Sequence, residues 1–232
     1  QESIMATSGT TAFDMNFTEI AEEAWERAGS EMRSGYDLRT ARRSMNLLTI
    51  EWQNRGINLW TIDSGTVSLT TGTSQYTLPS DTIDLLEQAI RTNSGSTTRQ
   101  SDINISRISV STFASIPNKL SRGRPIQVWI ERLVDAPKIN VWPVPDSNDY
   151  TFVYWRMRRI EDAGGGIETA DMNFRFLPCL VAGLAYNIAM KSPDLAPRIE
   201  MLKADYEFQF GLAAGEDREK SSARFVPRIS RI

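Results

Sequence analysis

Phe176-Leu177-Pro178-Cys179-Leu180-Val181-Ala182-Gly183-Leu184-Ala185-Tyr186-Asn187-Ile188-Ala189-Met190 is a fifteen-residue stretch without a single charge. Leu177, Leu180, Val181, Leu184 and Ile188 recur at helical spacing, and Ala182, Gly183, Ala185 and Ala189 fill the other faces. A helix that is apolar nearly all round belongs in the centre of a bundle. The stretch is shorter than the roughly 20 residues a bilayer span needs, and it contains Pro178 and Asn187. Pro178 is tolerated in a first turn, and Asp171 reads as an upstream cap. This sequence therefore demands other helices to cover it.

Three candidates surround it. Downstream, Ser192-Pro193-Asp194 opens a tight connection to a helix whose buried face is Ile199, Leu202, Tyr206, Phe210 and Ala213, with Lys203 and Glu207 spaced to pair. At the other end of the chain, Asn16 with Glu19 has the form of a reciprocal cap, followed by Phe17, Ile20, Ala21, Ala24, Trp25 and Ala28 and a stop at Gly29. A second N-terminal helix is predicted from Asp37. Leu38, Ala41, Met45, Leu48 and Trp52 form its stripe, Arg39, Arg42, Arg43, Asn46 and Gln53 take other faces, and Arg55-Gly56 closes it. No stripe can bury itself alone, so helices from both ends should pack together.

Between them, from Leu59 to Ile160, Ser, Thr and β-branched residues dominate in short alternating runs. Strands are predicted over Thr66–Thr70, Gln75–Leu78, Ile83–Thr92, Ile126–Leu133, Lys138–Trp142 and Tyr150–Arg159, with a short helix over Ser109–Ser115. Turn chemistry separates them, as at Thr71-Gly72, Asn93-Ser94-Gly95 and Pro145 to Asp149. Gly164-Gly165-Gly166 is the joint back into helix. The predicted fold class is α+β: a four-helix bundle with an inserted antiparallel β-sandwich or barrel-like module and an extended C-terminal arm. Residues 1–15 read as a flexible segment, 16–58 and 167–215 as the discontinuous bundle, 59–166 as the β-module, and 216–232 as the arm.

The 232 residues are 41% hydrophobic and 24% charged, ordinary values for a globular chain. There is no histidine, which removes His-based acid/base, nucleophilic and metal chemistry. The single cysteine, Cys179, excludes an intrachain disulfide, a CxxC pair and a thiolate cluster, and lies in the apolar helix as filler. A net charge of −3 argues against a dedicated nucleic-acid reader. Gln1 to Thr11 lacks the basic start and apolar run of a signal peptide, and Gln1 to Ile4 read as an upstream start or a remnant ahead of Met5. The sequence predicts no catalytic residue, no cofactor, no metal site and no membrane partner.

Weaker signals compete with bland readings. Asp81 with Asp84, and Glu161 with Asp162, invite a two-carboxylate hydrolase, but turns routinely carry such acids. The three glycines lack the lysine and spacing of a phosphate cradle. Trp52, Trp60, Trp129, Trp142 and Trp155 could stack sugars or bases, though such rings more often fill cores. Arg156 and Arg158 alternate with Trp155 and Met157, so one sheet face there should be cationic. With Arg159 they form a candidate surface for a partner or for DNA phosphates in a channel.

The C-terminal segment differs in kind. Arg224, Arg228 and Arg231 interleave with Phe225, Val226 and Ile229, a pattern suited to an extended arm that docks on a neighbour.

Taken in order, Ala41 to Leu48 (ARRSMNLL), Glu51 to Trp60 (EWQNRGINLW), Tyr76 to Pro79 (YTLP) and Arg124-Pro125 are similar to head-to-tail connector (adaptor) proteins of short-tailed bacteriophages. So are Val141-Trp142-Pro143 with Pro145, Tyr154-Trp155-Arg156, Arg175 to Pro178 (RFLP), Ala182 to Ala185 (AGLA) and Glu216 to Lys220 (EDREK). The resemblance runs from about Phe17 through the arm. It implies a ring, of twelve copies in this family, below the portal protein. The ring would extend the DNA channel, touch channel DNA without sequence preference, and dock tail nozzle or fibre proteins. The arm, through Arg224, Phe225, Val226, Arg228, Ile229 and Arg231, would grip the portal. The location implied is the virion, at the head-tail junction, after assembly in the host cytoplasm. Alternatives are a second-tier tail tube or nozzle component and, in a different class, a monomeric carbohydrate-binding β-module.

Overall fold

The computed structural model describes residues 13–57 and 59–217. In chain order its elements begin with α1 (Phe17–Ala28), α2 (Gly35–Asn54), β1 (Ile62–Ser68), β2 (Gln75–Thr77), β3 (Thr82–Thr92), β4 (Ser101–Asn104) and β5 (Ser106–Arg107). They continue with α3 (Val110–Ser115), β6 (Gln127–Glu131), β7 (Lys138–Trp142), β8 (Tyr150–Arg158), α4 (Leu177–Ala189) and α5 (Ile199–Glu216). The chain divides into two compact units, Gln1–Trp60 with Ile160–Ile232, and Thr61–Arg159. Expectations that fall on residues 1–12 and on the arm from Arg218 onward lie outside the described residues.

In the helical unit, α1 begins as its sequence dictates. The Glu19 amide donates to the Asn16 side chain at 2.9 Å, and the Asn16 amide donates to the Glu19 carboxylate at 2.8 Å. Gly29, at φ 96°, then turns its N–H onto the last carbonyls of α1. The start of α2 differs from expectation. Ser34 is the cap, and Asp37 is the third helical residue, whose carboxylate accepts the Ser34 amide at 3.1 Å. The helix therefore begins two residues before Asp37, with the Ser34 hydroxyl and the Asp37 carboxylate sharing a reciprocal cap.

A 3-10 turn, Phe174–Phe176, leads into α4 and is capped by Asn173, not Asp171. Asp171 instead ties the loop down: its carboxylate accepts the Glu161 amide at 3.1 Å and its carbonyl accepts the Trp60 indole N–H at 3.0 Å. Pro178 falls in the first turn of α4, where a missing N–H costs nothing.

Packing follows from the uniform apolarity of α4. Helices α1, α2 and α5 all pack on it, and Leu180, Leu184 and Ile188 are fully buried. Each such side chain contributes about 1.5–3 kcal/mol relative to exposure. Gly183 permits the closest approach: a β-carbon there would lie 2.8 Å from both Leu48 Cδ2 on α2 and Tyr206 Cε2 on α5. Beside it the buried Trp52 indole donates to the Tyr206 hydroxyl at 3.0 Å. Helix α5 runs to Glu216, one residue past the glycine expected to end it.

The second unit holds two four-stranded sheets, ordered β1-β8-β3-β4 and β2-β7-β6-β5. Leu85, Ile90, Phe152 and Tyr154 of the first and Val128, Ile139 and Val141 of the second contribute to one buried cluster. Two expectations are corrected. There is no closed barrel, because the two sheets remain separate, each with two edge strands. Nor is the unit wholly antiparallel: β5 pairs with β6 in parallel, reached through the excursion that carries α3. Gly65 on β1 is needed for packing, since a β-carbon would come within 2.5 Å of the Tyr154 ring.

Candidate partner-binding surfaces

The β8 arginines are placed by strand parity. Phe152 and Tyr154 point into the core of their unit, and Arg156 and Arg158 continue the same face beyond it. Asp63 on β1 lies directly across from Arg156. The Arg156 guanidinium donates to both carboxylate oxygens of Asp81 and to Thr82 Oγ1, the last at 2.8 Å, with Asp63 at 3.5 Å. Arg158 also lies 3.5 Å from Asp63. The Arg156 hydrogen bonds hold the Asp81 carboxyl below the usual carboxylate range. What the sequence presented as a cationic face is thus largely neutralised by two aspartates close in space, Asp63 and Asp81. Arg159 is exposed.

The acid pairs are similarly engaged. Asp84 is bridged by Arg107 at 3.0 Å and by Arg132, so Asp81 and Asp84 serve different arginines rather than one cleft. Glu161 and Asp162 are exposed in the loop ahead of the glycines. That loop has its own acceptor. The Glu168 carboxylate takes the Gly166 amide at 2.9 Å, and hydrogen bonds from backbone amides around it lower its pKa. The glycine segment is therefore a nest closed on an internal carboxylate, not an open anion cradle. It is also anchored to the helical unit: the Thr18 hydroxyl donates to the Gly166 carbonyl at 2.8 Å, and Arg42 donates to the Gly164 carbonyl at 3.1 Å.

The five tryptophans do not make a platform. Trp52 is buried, Trp60 packs on Phe176 with ring centroids 4.7 Å apart, and Trp129 stacks on Phe113 at 5.0 Å. The Trp142 indole donates to the Asn118 carbonyl. Of the set, Trp155 alone is largely exposed, at 40%.

Burial pushes the Cys179 thiol up to about 12, far from a reactive thiolate. Among the described residues no group of three or more Cys, Asp or Glu side chains is arranged to hold a metal ion. Among them, too, no helix is long and apolar enough to cross a membrane.

The expected Lys203–Glu207 pair gives way to a better one. Glu207 receives a two-pronged hydrogen bond from Arg55, at 3.0 and 3.1 Å, which lowers its carboxyl pKa. Arg55 also bridges Glu51 at 2.7 Å and lies over the Phe210 ring at 4.5 Å, clamping the end of α2 onto α5.

Two surfaces were missed from sequence. On α5, Met201, Phe208 and Leu212 are 56–63% exposed, opposite the face that meets α4. On α2, Tyr36, Leu47 and Ile50 are likewise exposed. The signal was present in α5, whose apolar residues encircle the helix rather than favouring one side.

These surfaces belong to a protein whose ionisable groups largely serve its own fold. The SU10 adaptor protein family model matches residues 15–228, across both units. The chain belongs to the SU10 adaptor protein family. No curated protein matches it. As a phage adaptor it is a virion component, and the family implies interaction with phage portal and tail proteins. Structural adaptors of this kind are typically non-enzymatic.

Proposed function

We propose that the protein is a structural head-to-tail adaptor of a tailed-phage virion, assembling as a ring of twelve copies below the portal. The ring extends the DNA channel and docks tail nozzle or fibre proteins. Its helices from both ends of the chain act together as a four-helix bundle, carrying the 59–166 β-module as an insertion. The C-terminal arm grips the portal, with Phe225, Val226 and Ile229 as apolar anchors and Arg224, Arg228 and Arg231 meeting portal carboxylates. Arg159, just past the end of β8, is left for non-specific contact with channel DNA. The protein carries out no catalysis.

The observation that carries this reading is the family match, which spans the helical and β units together rather than one module. A carbohydrate-binding module loses its main support, because most of its tryptophans are engaged inside the fold. An arm that orders on binding spends conformational entropy, so each copy binds weakly while ring symmetry multiplies the contacts.

Mass photometry with and without purified portal tests the reading. A ring gives species of hundreds of kilodaltons on portal, against 26.1 kDa for the single chain. Deleting Ser221 to Ile232 abolishes that assembly and leaves the melting temperature nearly unchanged, and raised salt weakens it. A full-length chain that stays at 26.1 kDa with portal present refutes the adaptor ring. A truncated chain that still assembles with full affinity refutes the arm's role.

A further inference from the structure

Helix α5 has 18 residues and no amphipathic asymmetry, yet half of its circumference is open to solvent. That outward half carries Glu200, Lys203 and Glu207, but also large apolar side chains at Met201, Phe208 and Leu212. The covered side is Leu202, Tyr206 and Ala213. On the outward half, Met201, Phe208 and Leu212 step with half-buried Asp205 by fours and threes into one stripe. Gly211 and Gly215 lie beside this stripe with open space in front of them, so another backbone can approach closely.

A second stripe with the complementary charge lies on α2. Tyr36, Arg39, Arg43, Leu47 and Ile50 lie at helical spacing on the side away from α4, and all are exposed. Arg39 and Arg43 have no carboxylate partner among the described residues, and Asp205 has no cationic one. These unpaired charges contrast with Arg156, Asp81 and Asp84 of the β unit, which are paired internally.

We infer that the α2 stripe of one copy docks on the α5 stripe of the next, the two helices running parallel. Register supports this direction. On α2 Arg43 precedes the Leu47/Ile50 pair, and on α5 Asp205 precedes Phe208/Leu212. In both, the charge lies about 8 Å before the apolar midpoint at 1.5 Å per residue. Parallel alignment therefore sets Arg43 against Asp205 while Leu47 and Ile50 meet Phe208 and Leu212. An antiparallel alignment would place charge on apolar surface at both ends. Two different surfaces of one chain make a head-to-tail contact, which closes into a ring when the rotation per copy divides a full turn. The inference rests on the ring reading above and names the faces that build it.

Cross-linking between copies that each carry one added, exposed cysteine tests it, because native Cys179 is buried. Leu47→Cys and Phe208→Cys chains are mixed on portal and treated with a short bis-maleimide. A covalent dimer should form in the mixture and be at least tenfold weaker with either variant alone. In parallel, Arg43→Glu should lower ring formation at least tenfold, and adding Asp205→Arg to it should restore most of the loss. Equal cross-linking of either variant with itself would show a two-fold contact and overturn the head-to-tail pairing. Normal rings without the mixed cross-link, and indifferent to Arg43→Glu, would overturn these faces while leaving the ring intact. Wild-type protein that never associates on portal would overturn both the ring and this interface.

Discussion

Replacing Gly183 by Ala separates two opposing effects of known size. Alanine in a helix interior is favoured over glycine by about 1 kcal/mol. Against that, the new methyl would lie 2.8 Å from Leu48 Cδ2, 2.8 Å from Tyr206 Cε2 and 3.0 Å from Tyr206 Cδ2, where carbon atoms prefer roughly 3.5–4.0 Å. The leucine methyl can rotate away, but the ring cannot. The Tyr206 hydroxyl accepts from Trp52 at 3.0 Å and donates to Glu51 at 3.2 Å, while Tyr186 stacks on its face with centroids 6.2 Å apart. Overpacking such a site costs about 2–3 kcal/mol. The expected net loss is about 1–2 kcal/mol, or a fall in Tm of about 2–8 °C for a chain this size. Urea unfolding of the dilute protein, followed by circular dichroism at a helical wavelength, measures it. Gly211→Ala is the control, since a methyl there meets nothing within 4 Å and the helix preference acts alone. If Gly183→Ala were as stable as Gly211→Ala, the account of α4 as a clamped central helix would be wrong.

Other perturbations read different interactions. Tyr206→Phe leaves the Trp52 indole N–H buried without its acceptor, and should cost about 1–3 kcal/mol in the same urea titration; a neutral variant would mean the N–H had found another partner. Leu184→Asp, at a fully buried position, should destabilise the helical unit by several kcal/mol, read as lost helical signal at low urea, because an unpaired charge is left in the core. Asp81 has its folded pKa below its unfolded value, so its pairing with Arg156 stabilises above about pH 4 and is lost as pH falls through the lower folded value. The stability gap between wild type and Asp81→Asn should therefore close on acidification, and a gap constant from pH 7 to pH 2 would contradict the pairing. Polysaccharide, peptidoglycan and nucleotide hydrolysis should all be blank; turnover lost on mutating Asp81, Asp84, Glu161 or Asp162 would overturn the absence of catalysis.

Local chemistry made much of the fold legible. The Asn16–Glu19 cap, the Gly29 stop, Pro178 in a first turn and the short helix read over Ser109–Ser115 are each decided within four residues; the first three appear as read, and α3 does so with Ser109 as its cap. Errors arose where a distant partner decided. Asp171 had the chemistry of a cap, but it is used by Glu161 and Trp60. Glu207 had a lysine at helical spacing, but Arg55 reaches it from another helix with two hydrogen bonds. Strand β5, two residues long, carries too little pattern to be seen and exists because β6 offers it an edge. The candidate surface was the least legible. Alternation along β8 gave the correct parity for Arg156 and Arg158, but not that the face continues the core, nor that Asp63 and Asp81 wait there.

The distribution of paired and unpaired groups bears on how such a protein works with others. Asp63, Asp81, Asp84 and Asp102 each hold arginines of their own unit, and Glu168 holds its own loop. Directional interactions of this kind fix the shape of each unit and leave little charge there for chemistry on a ligand. The helical unit leaves apolar area open on α2 and α5, with Arg39 and Arg43 on one stripe and Asp205 on the other. Apolar contact is non-directional and grows with area, so it would tolerate the small angular adjustments that the proposed ring requires. The charges add what area cannot supply, a fixed register and direction. A rigid interior and an adaptable rim suit a part that transmits position between portal and tail rather than one that turns over a substrate.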